Sequence, residues 1–196
     1  HSGSFSPTVR NEGNILGLYD GNYTDGGRRH VAFSFTVNGS AADRRLEFYN
    51  ADTGLIELQT KESIAFNYAN TSSSRLSIYN EGDVVLYGRN SVGVKTAGAT
   101  ANTLTNSKLV LKTPIRINGD SSIGVELAQI MDSGYGNLTA GQYDPQSAEI
   151  RVTIGDEKNK YAGNIAGNDE NYVEGAIGLY VNHASLDYRL KEYEFK

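Results

Sequence analysis

Residues 75–96 read RLSIYNEGDVVLYGRNSVGVKT. Three short apolar segments stand in this stretch: RLSIYN at 75–80, VVLY at 84–87 and SVGV at 91–94. They are separated by NEGD and GRN, both strong turn formers. Within RLSIYN the side chains alternate. Leu76 and Ile78 fall on one face, and Arg75, Ser77 and Tyr79 on the other, the period-two signature of a strand. Three strands in 22 residues leave no room for a helix between them.

The same order recurs on both sides. RLEFYN at 45–50, LIEL at 55–58 and SIAF at 63–66 form the unit before it, and KLVLKT at 108–113, PIRI at 114–117 and SIGV at 122–125 the unit after it. A fourth unit begins with EIRVTI at 149–154 and closes with AIGL at 176–179. The small residues Gly17, Ala65, Gly93, Gly124 and Gly178 mark five copies of a motif in which Gly or Ala sits between two apolar residues, with NILGLY at 14–19 as the first copy. Strict alternation puts the small residue on the face away from its apolar neighbours, where it keeps the outer surface flat or lets the strand bend.

Repeated triplets of short strands predict an all-β fold, a right-handed parallel β-helix. An antiparallel β-sandwich is the alternative, because short strands at this spacing suit it too. Equivalent positions of successive coils stack about 4.8 Å apart in a solenoid. Aligning the four first strands by their starts predicts an inward column of Leu46, Leu76, Leu109 and Ile150. It predicts outward columns of Arg45, Arg75, Lys108 and Glu149, and of Tyr49, Tyr79, Lys112 and Thr153. Residues 1–44 fit the repeat less well and read as an irregular N-terminal β segment or cap. Residues 45–196 carry the coils. The polar, Gly- and Asn-rich stretch at about 155–172 reads as an inserted loop.

Composition narrows the function. The chain has 196 residues, with 22 Gly, 13 Tyr, no Trp and no Cys, and a formal net charge of −5. Disulfides and thiolate metal sites are excluded, and the acidic balance argues against a general nucleic-acid binder. No apolar run approaches the ~18 residues of a membrane helix. No signal peptide is visible, and HSGSFSP at 1–7 reads as a flexible leader.

Catalytic patterns are scarce. The chain contains no HExxH, GxSxG or P-loop. His1, His30 and His183 lack ligand spacing and read as ordinary surface residues. Asp43, Asp52, Asp83, Asp120 and Asp156 are the acids that a carbohydrate-cleaving β-helix would need. Asp83, Asp120 and Asp156 adjoin Gly, so they read instead as turn residues bonded to their own backbone. No metal and no cofactor are expected. Tyr49, Tyr79, Tyr87 and Tyr180 fall on outward or ambiguous positions, where tyrosine serves either recognition or the covering of coil edges. Lys158, Lys160, Tyr161 and Tyr172 of the inserted loop combine charge with aromatic area, and are the expected partner-binding residues.

The words GRNSVGVKT (88–96), NGDSSIGVEL (118–127), VEGAIGLYV (173–181) and LSIYNEGDVVLYG (76–88) resemble the passenger domains of large autotransporter adhesins of fusobacteria and related anaerobes. The resemblance covers roughly residues 45–181. It implies secretion by the type V route and display at the cell surface, attached to the outer membrane through a barrel outside this stretch. It also implies contact with a protein or glycan on host cells or other bacteria, and a non-catalytic role in adhesion and virulence. The absence of cysteine agrees with passage of an unfolded chain through a narrow pore. The terminal DYRLKEYEFK does not resemble that barrel, so the chain is expected to be a piece of passenger. A carbohydrate-active β-helix, lyase or glycosidase, is the alternative function; three or more charged groups converging on one sheet face would favour it.

Overall fold

The computed structural model describes residues 8–18, 29–37, 45–70, 75–97, 108–128, 148, 149, 151–155 and 173–182. These residues form fifteen strands and no helix. In chain order the strands are β1 (Thr8–Asn11), β2 (Asn14–Gly17), β3 (Val31–Val37), β4 (Arg45–Asn50), β5 (Leu55–Leu58), β6 (Ile64–Asn70), β7 (Arg75–Asn80), β8 (Asp83–Leu86), β9 (Val92–Ala97), β10 (Lys108–Leu111), β11 (Ile115–Ile117), β12 (Ile123–Ala128), β13 (Ala148–Glu149), β14 (Val152–Ile154) and β15 (Ile177–Asn182).

Every third strand belongs to the same sheet. The first sheet runs β1-β4-β7-β10-β13, the second β2-β5-β8-β11-β14 and the third β3-β6-β9-β12-β15. All pairings are parallel. The chain is therefore a five-coil parallel β-helix, as the triplet repeat predicts, and not an antiparallel sandwich. Residues 8–37 contribute a strand to every sheet, so the stretch before residue 44 supplies the first coil of the solenoid.

The core lies between the three sheets. Around the first two coils it is aromatic: Phe33 and Phe66 stack with centroids 5.5 Å apart, and Phe35 meets Phe48 edge-on at 4.3 Å. Further along it becomes aliphatic, with Ile78, Leu86, Val94, Leu111, Ile115, Ile117 and Val125 all buried. Each such side chain contributes about 1.5–3 kcal/mol by leaving water.

Two ladders of buried polar side chains fix the corners. After the first-sheet strands, Asn11 donates through Nδ2 to Asn50 Oδ1 at 2.8 Å, Asn50 to Asn80 at 2.8 Å, and Asn80 to the Thr113 carbonyl at 2.9 Å. Before the third-sheet strands, the Ser63 backbone N–H donates to Ser91 Oγ at 3.1 Å, and the Ser91 N–H to Ser122 Oγ at 3.0 Å. The residue ahead of each serine is left-handed: φ is 57° at Glu62, 56° at Asn90 and 54° at Ser121, and Gly175 takes 66° in the next coil. One strained corner thus recurs coil after coil, and the serine behind it satisfies backbone groups that burial would otherwise orphan.

Three details differ from the sequence expectation. First, the small residue of the SVGV motif points inward. A Cβ on Gly93 would lie 2.8 Å from Ile115 Cδ1 and 2.4 Å from the Gly124 carbonyl oxygen, and Ala65 at the equivalent position is fully buried in the core. The small residue is required by lack of space inside, not by a flat outside. Second, NILG is not a copy of this motif. It forms β2 in the second sheet, where Gly17 pairs with Leu58, and the first-coil counterpart lies in β3, with Ala32 flanked by Val31 and Phe33.

Third, β10 is shifted by two residues. Leu46 pairs with Leu76, but Leu109 pairs with Ile78, so its column is Val9, Phe48, Ile78, Leu109 and Ala148. Lys108 accordingly pairs with Ser77, and Tyr79 is followed by Val110 and then Glu149. Lys112 and Thr153 are thus absent from the Tyr49–Tyr79 column. Ile150 lies outside the described residues. Register is anchored where the strand ends, at the turn: Glu81 N–H bonds the Asn50 carbonyl as Lys112 N–H bonds the Asn80 carbonyl. The strand starts follow connections of varying length, and alignment by starts inherits that variation.

Candidate functional site

The outer face of the first sheet carries the densest set of functional groups among the described residues. One outward column reads Arg10, Tyr49, Tyr79 and Val110. The positions just after these strands add Glu12, Ala51, Glu81 and Lys112. The Arg10 guanidinium lies 4.4 Å from the centre of the Tyr49 ring, and Tyr49 and Tyr79 have centroids 6.3 Å apart, tilted by 42°. Arg10 pairs with Glu12. The Tyr49 hydroxyl donates to Glu81 Oε2, and Lys112 Nζ stands 2.5 Å from Glu81 Oε1. Four of five coils are thereby joined into one aromatic and ionic ridge.

The ridge holds four charged groups, which meets the count set for an enzyme. Its titrating groups shift one another. The Lys112 ammonium, and then the Tyr49 hydroxyl, hold the Glu81 carboxyl below its usual range. The Glu81 hydrogen bond, and then burial, push the Tyr49 phenol up. The Glu12 hydrogen bond raises Arg10. Every shift moves away from neutrality, whereas a general acid or base works best with a pKa near the operating pH. What the ridge offers is contact area: half-exposed tyrosine rings edged by paired charges.

His30 presents the other arrangement that invites a catalytic reading. Its Nδ1 lies 2.7 Å from Thr60 Oγ1, which lies 2.8 Å from Ser63 Oγ. Ser63 Oγ also lies 2.9 Å from the Thr60 carbonyl. Either hydroxyl can donate between Thr60 and Ser63, and the direction of the chain follows the His30 tautomer. Both hydroxyl residues are buried. The trio is a strut between the first and second coils; His30 is half-buried rather than an ordinary surface residue.

The aspartates also differ from expectation. Asp83 opens β8, and its carboxylate pairs with Arg116 of the following coil at 3.2 Å. Asp120 Oδ1 accepts the N–H of Glu174 at 3.0 Å, across coils. Both bridge neighbouring coils instead of closing their own turns. Asp43 and Asp156 lie outside the described residues, as do Lys158, Lys160, Tyr161 and Tyr172. No group of three or more His, Asp or Glu that could hold a metal ion occurs among the described residues. Tyr87 is buried and Tyr68 is a core residue, so only Tyr49, Tyr79 and Tyr180 of the described tyrosines face outward.

Sequence reasoning found Tyr49 and Tyr79, and placed Lys112 in their column where the structure has Val110, but missed Arg10, Glu12 and Glu81. The signal was present: in the first, third and fourth coils, the residue directly after the first-sheet strand is charged. Comparison with protein-family models, with curated proteins and with solved structures finds no match to this chain.

Proposed function

We propose that this chain is a rigid, non-catalytic segment of a cell-surface adhesin passenger, as the resemblance implies, displayed through the type V route and contacting a protein or glycan on host or bacterial cells. The observation that carries this reading is the unbroken register of three parallel sheets through five coils. Ladders of side chains join each coil to the next, so the segment resists bending and sets whatever it displays at a fixed height, about 4.8 Å per coil. The pairing and pKa directions of the ridge support contact in preference to turnover.

The contact site is proposed on the Tyr49–Tyr79 ridge or on the segment at 155–172 with Lys158, Lys160, Tyr161 and Tyr172, which lies outside the described residues from 156 onward. The half-exposed rings edged by paired charges support the ridge. The test compares cell and glycan-array binding by the parent, by Tyr49→Ser/Tyr79→Ser, and by a chain with 157–170 replaced by a Gly/Ser turn. Loss in the tyrosine variant at an unchanged melting temperature supports the ridge. Loss only in the loop variant moves the site to the loop. Release of oligosaccharide from polysaccharides by the parent, abolished in Glu81→Gln, would replace this reading with the enzymatic one.

A further inference from the structure

The ridge on the first sheet is amphipathic across its width. Its middle column runs Arg10, Tyr49, Tyr79 and Val110. The last three members are two tyrosine rings and a valine, all half-exposed. They form an apolar strip that climbs the sheet by about 4.8 Å per coil. Beside it, just past the strand ends, stand Glu12, Ala51, Glu81 and Lys112, charged in three coils of four. One edge of the strip is thus lined with hydrogen-bonding groups.

The charges along that edge suit a neutral ligand. Arg10 pairs with Glu12, and Lys112 with Glu81, so two charges of each sign balance. An ionic ligand would have to break one of these pairs to make its own, and an exchange of exposed pairs gains little. A neutral ligand keeps both pairs and uses the hydrogen-bonding capacity that remains. A carboxylate offers about four acceptor sites and an ammonium three donors, more than these pairs consume. The side chains of Arg10, Glu12 and Lys112 are each more than half exposed, within reach of a ligand on the strip.

We infer that the ridge binds a neutral, extended oligosaccharide of β-linked pyranoses lying along the solenoid axis. The inference rests on the contact reading above and names the ligand class of that site. A pyranose has an apolar face of C–H groups and an edge of hydroxyls, each both donor and acceptor. An extended β-linked chain advances per sugar by a step close to that of the coils. Successive sugars therefore stack on Tyr49, Tyr79 and Val110, and their hydroxyls meet the charged edge. The platform is ordered in advance: the Tyr49 hydroxyl is bonded to Glu81, and its ring packs against Arg10. A stable protein interface takes about 800 Å² from each partner; a strip one column wide suits a linear ligand.

The test is calorimetric titration of the full chain with β-linked glucose and N-acetylglucosamine oligomers, from monomer to hexamer. Affinity is expected to rise up to the trimer, which fills the three rungs, and then to level off, with little response to added salt. Tyr79→Ala should weaken trimer binding at least tenfold, and Tyr79→Phe should retain it, because the ring does the stacking. Val110→Lys leaves both tyrosines in place and should also weaken it, which keeps the test valid if Tyr79→Ala does not fold. Preferential binding of polygalacturonate, released by salt, would overturn the neutral assignment. No binding of any oligomer, or binding that ignores chain length and the Tyr79 substitutions, would overturn the inference. The contact reading then still stands if Tyr49→Ser/Tyr79→Ser loses cell binding, since the ridge would be meeting a protein. If that variant keeps cell binding, the ridge is lost as the contact site as well.

Discussion

Gly93 and Ile115 compete for one place in the core: a Cβ on Gly93 would lie 2.8 Å from Cδ1 and 2.9 Å from Cγ2 of Ile115, which itself is fully buried. The Gly124 carbonyl, only 2.4 Å away, blocks any sideways escape because it belongs to the next rung of the sheet. Gly93→Ala is expected to destabilise the fold by about 3 kcal/mol, at the upper end of overpacking costs. Chemical denaturation checks this; a loss below 0.5 kcal/mol, the scale of a surface change, would mean that the small residue faces outward after all.

The asparagine ladder predicts a second loss. Asn50 is buried and bonds Asn11 on one side and Asn80 on the other. Asn50→Ala strands two buried amides and costs about 2–3 kcal/mol. Asn80→Leu should cost less, because Leu111 already fills the next place in that column. Denaturation midpoints of the two variants give the order.

The ridge predicts a pH dependence. Glu81 is held below its usual range, first by Lys112 and then by Tyr49. A carboxyl depressed on folding adds stability above its unfolded pKa and loses it as pH falls through the folded one. The melting temperature of the parent should therefore exceed that of Glu81→Gln at neutral pH, and the difference should vanish on acidification below the ordinary carboxylate range. Tyr49 moves the other way: Glu81, then burial, raise its phenol. Spectrophotometric titration of Glu81→Gln should show one tyrosine ionising at lower pH than in the parent.

If Ser63 gives its hydrogen to the Thr60 carbonyl, Thr60 donates to Ser63 and His30 is expected to be an Nδ1–H imidazole when neutral. Nitrogen-15 NMR of the imidazole ring reads this tautomer. An Nε2–H tautomer, with Nδ1 accepting, would reverse the polarity of the strut and reopen a catalytic role for Thr60.

Much of the architecture was legible because side-chain alternation and turn chemistry are local. RLSIYN, VVLY and SVGV announce three strands, and their repetition announces the coils. What local patterns do not carry is the space on the far side of the core. The inward direction of Gly93 depends on Ile115, and the two-residue shift of Leu109 depends on the turn that anchors β10. NILG resembles SVGV in letters yet pairs with LIEL, since sheet membership is decided by position in the coil and not by wording. The ridge was half legible for the same reason: Tyr49 and Tyr79 announce themselves as aromatic, while Arg10, Glu81 and Lys112 become a site only once four coils are stacked.

The central claim, that the chain is one in-register stack of coils, is tested most directly by distances along a single column. The chain has no cysteine, so spin labels can be placed in pairs at 10 and 49, 10 and 79, 10 and 110, and 10 and 149 without background. In the stack the backbone separation grows by about 4.8 Å at each step, and electron-spin distance measurements should follow that line through all four pairs. A separation that falls, or stays level, between any successive pair would contradict the solenoid.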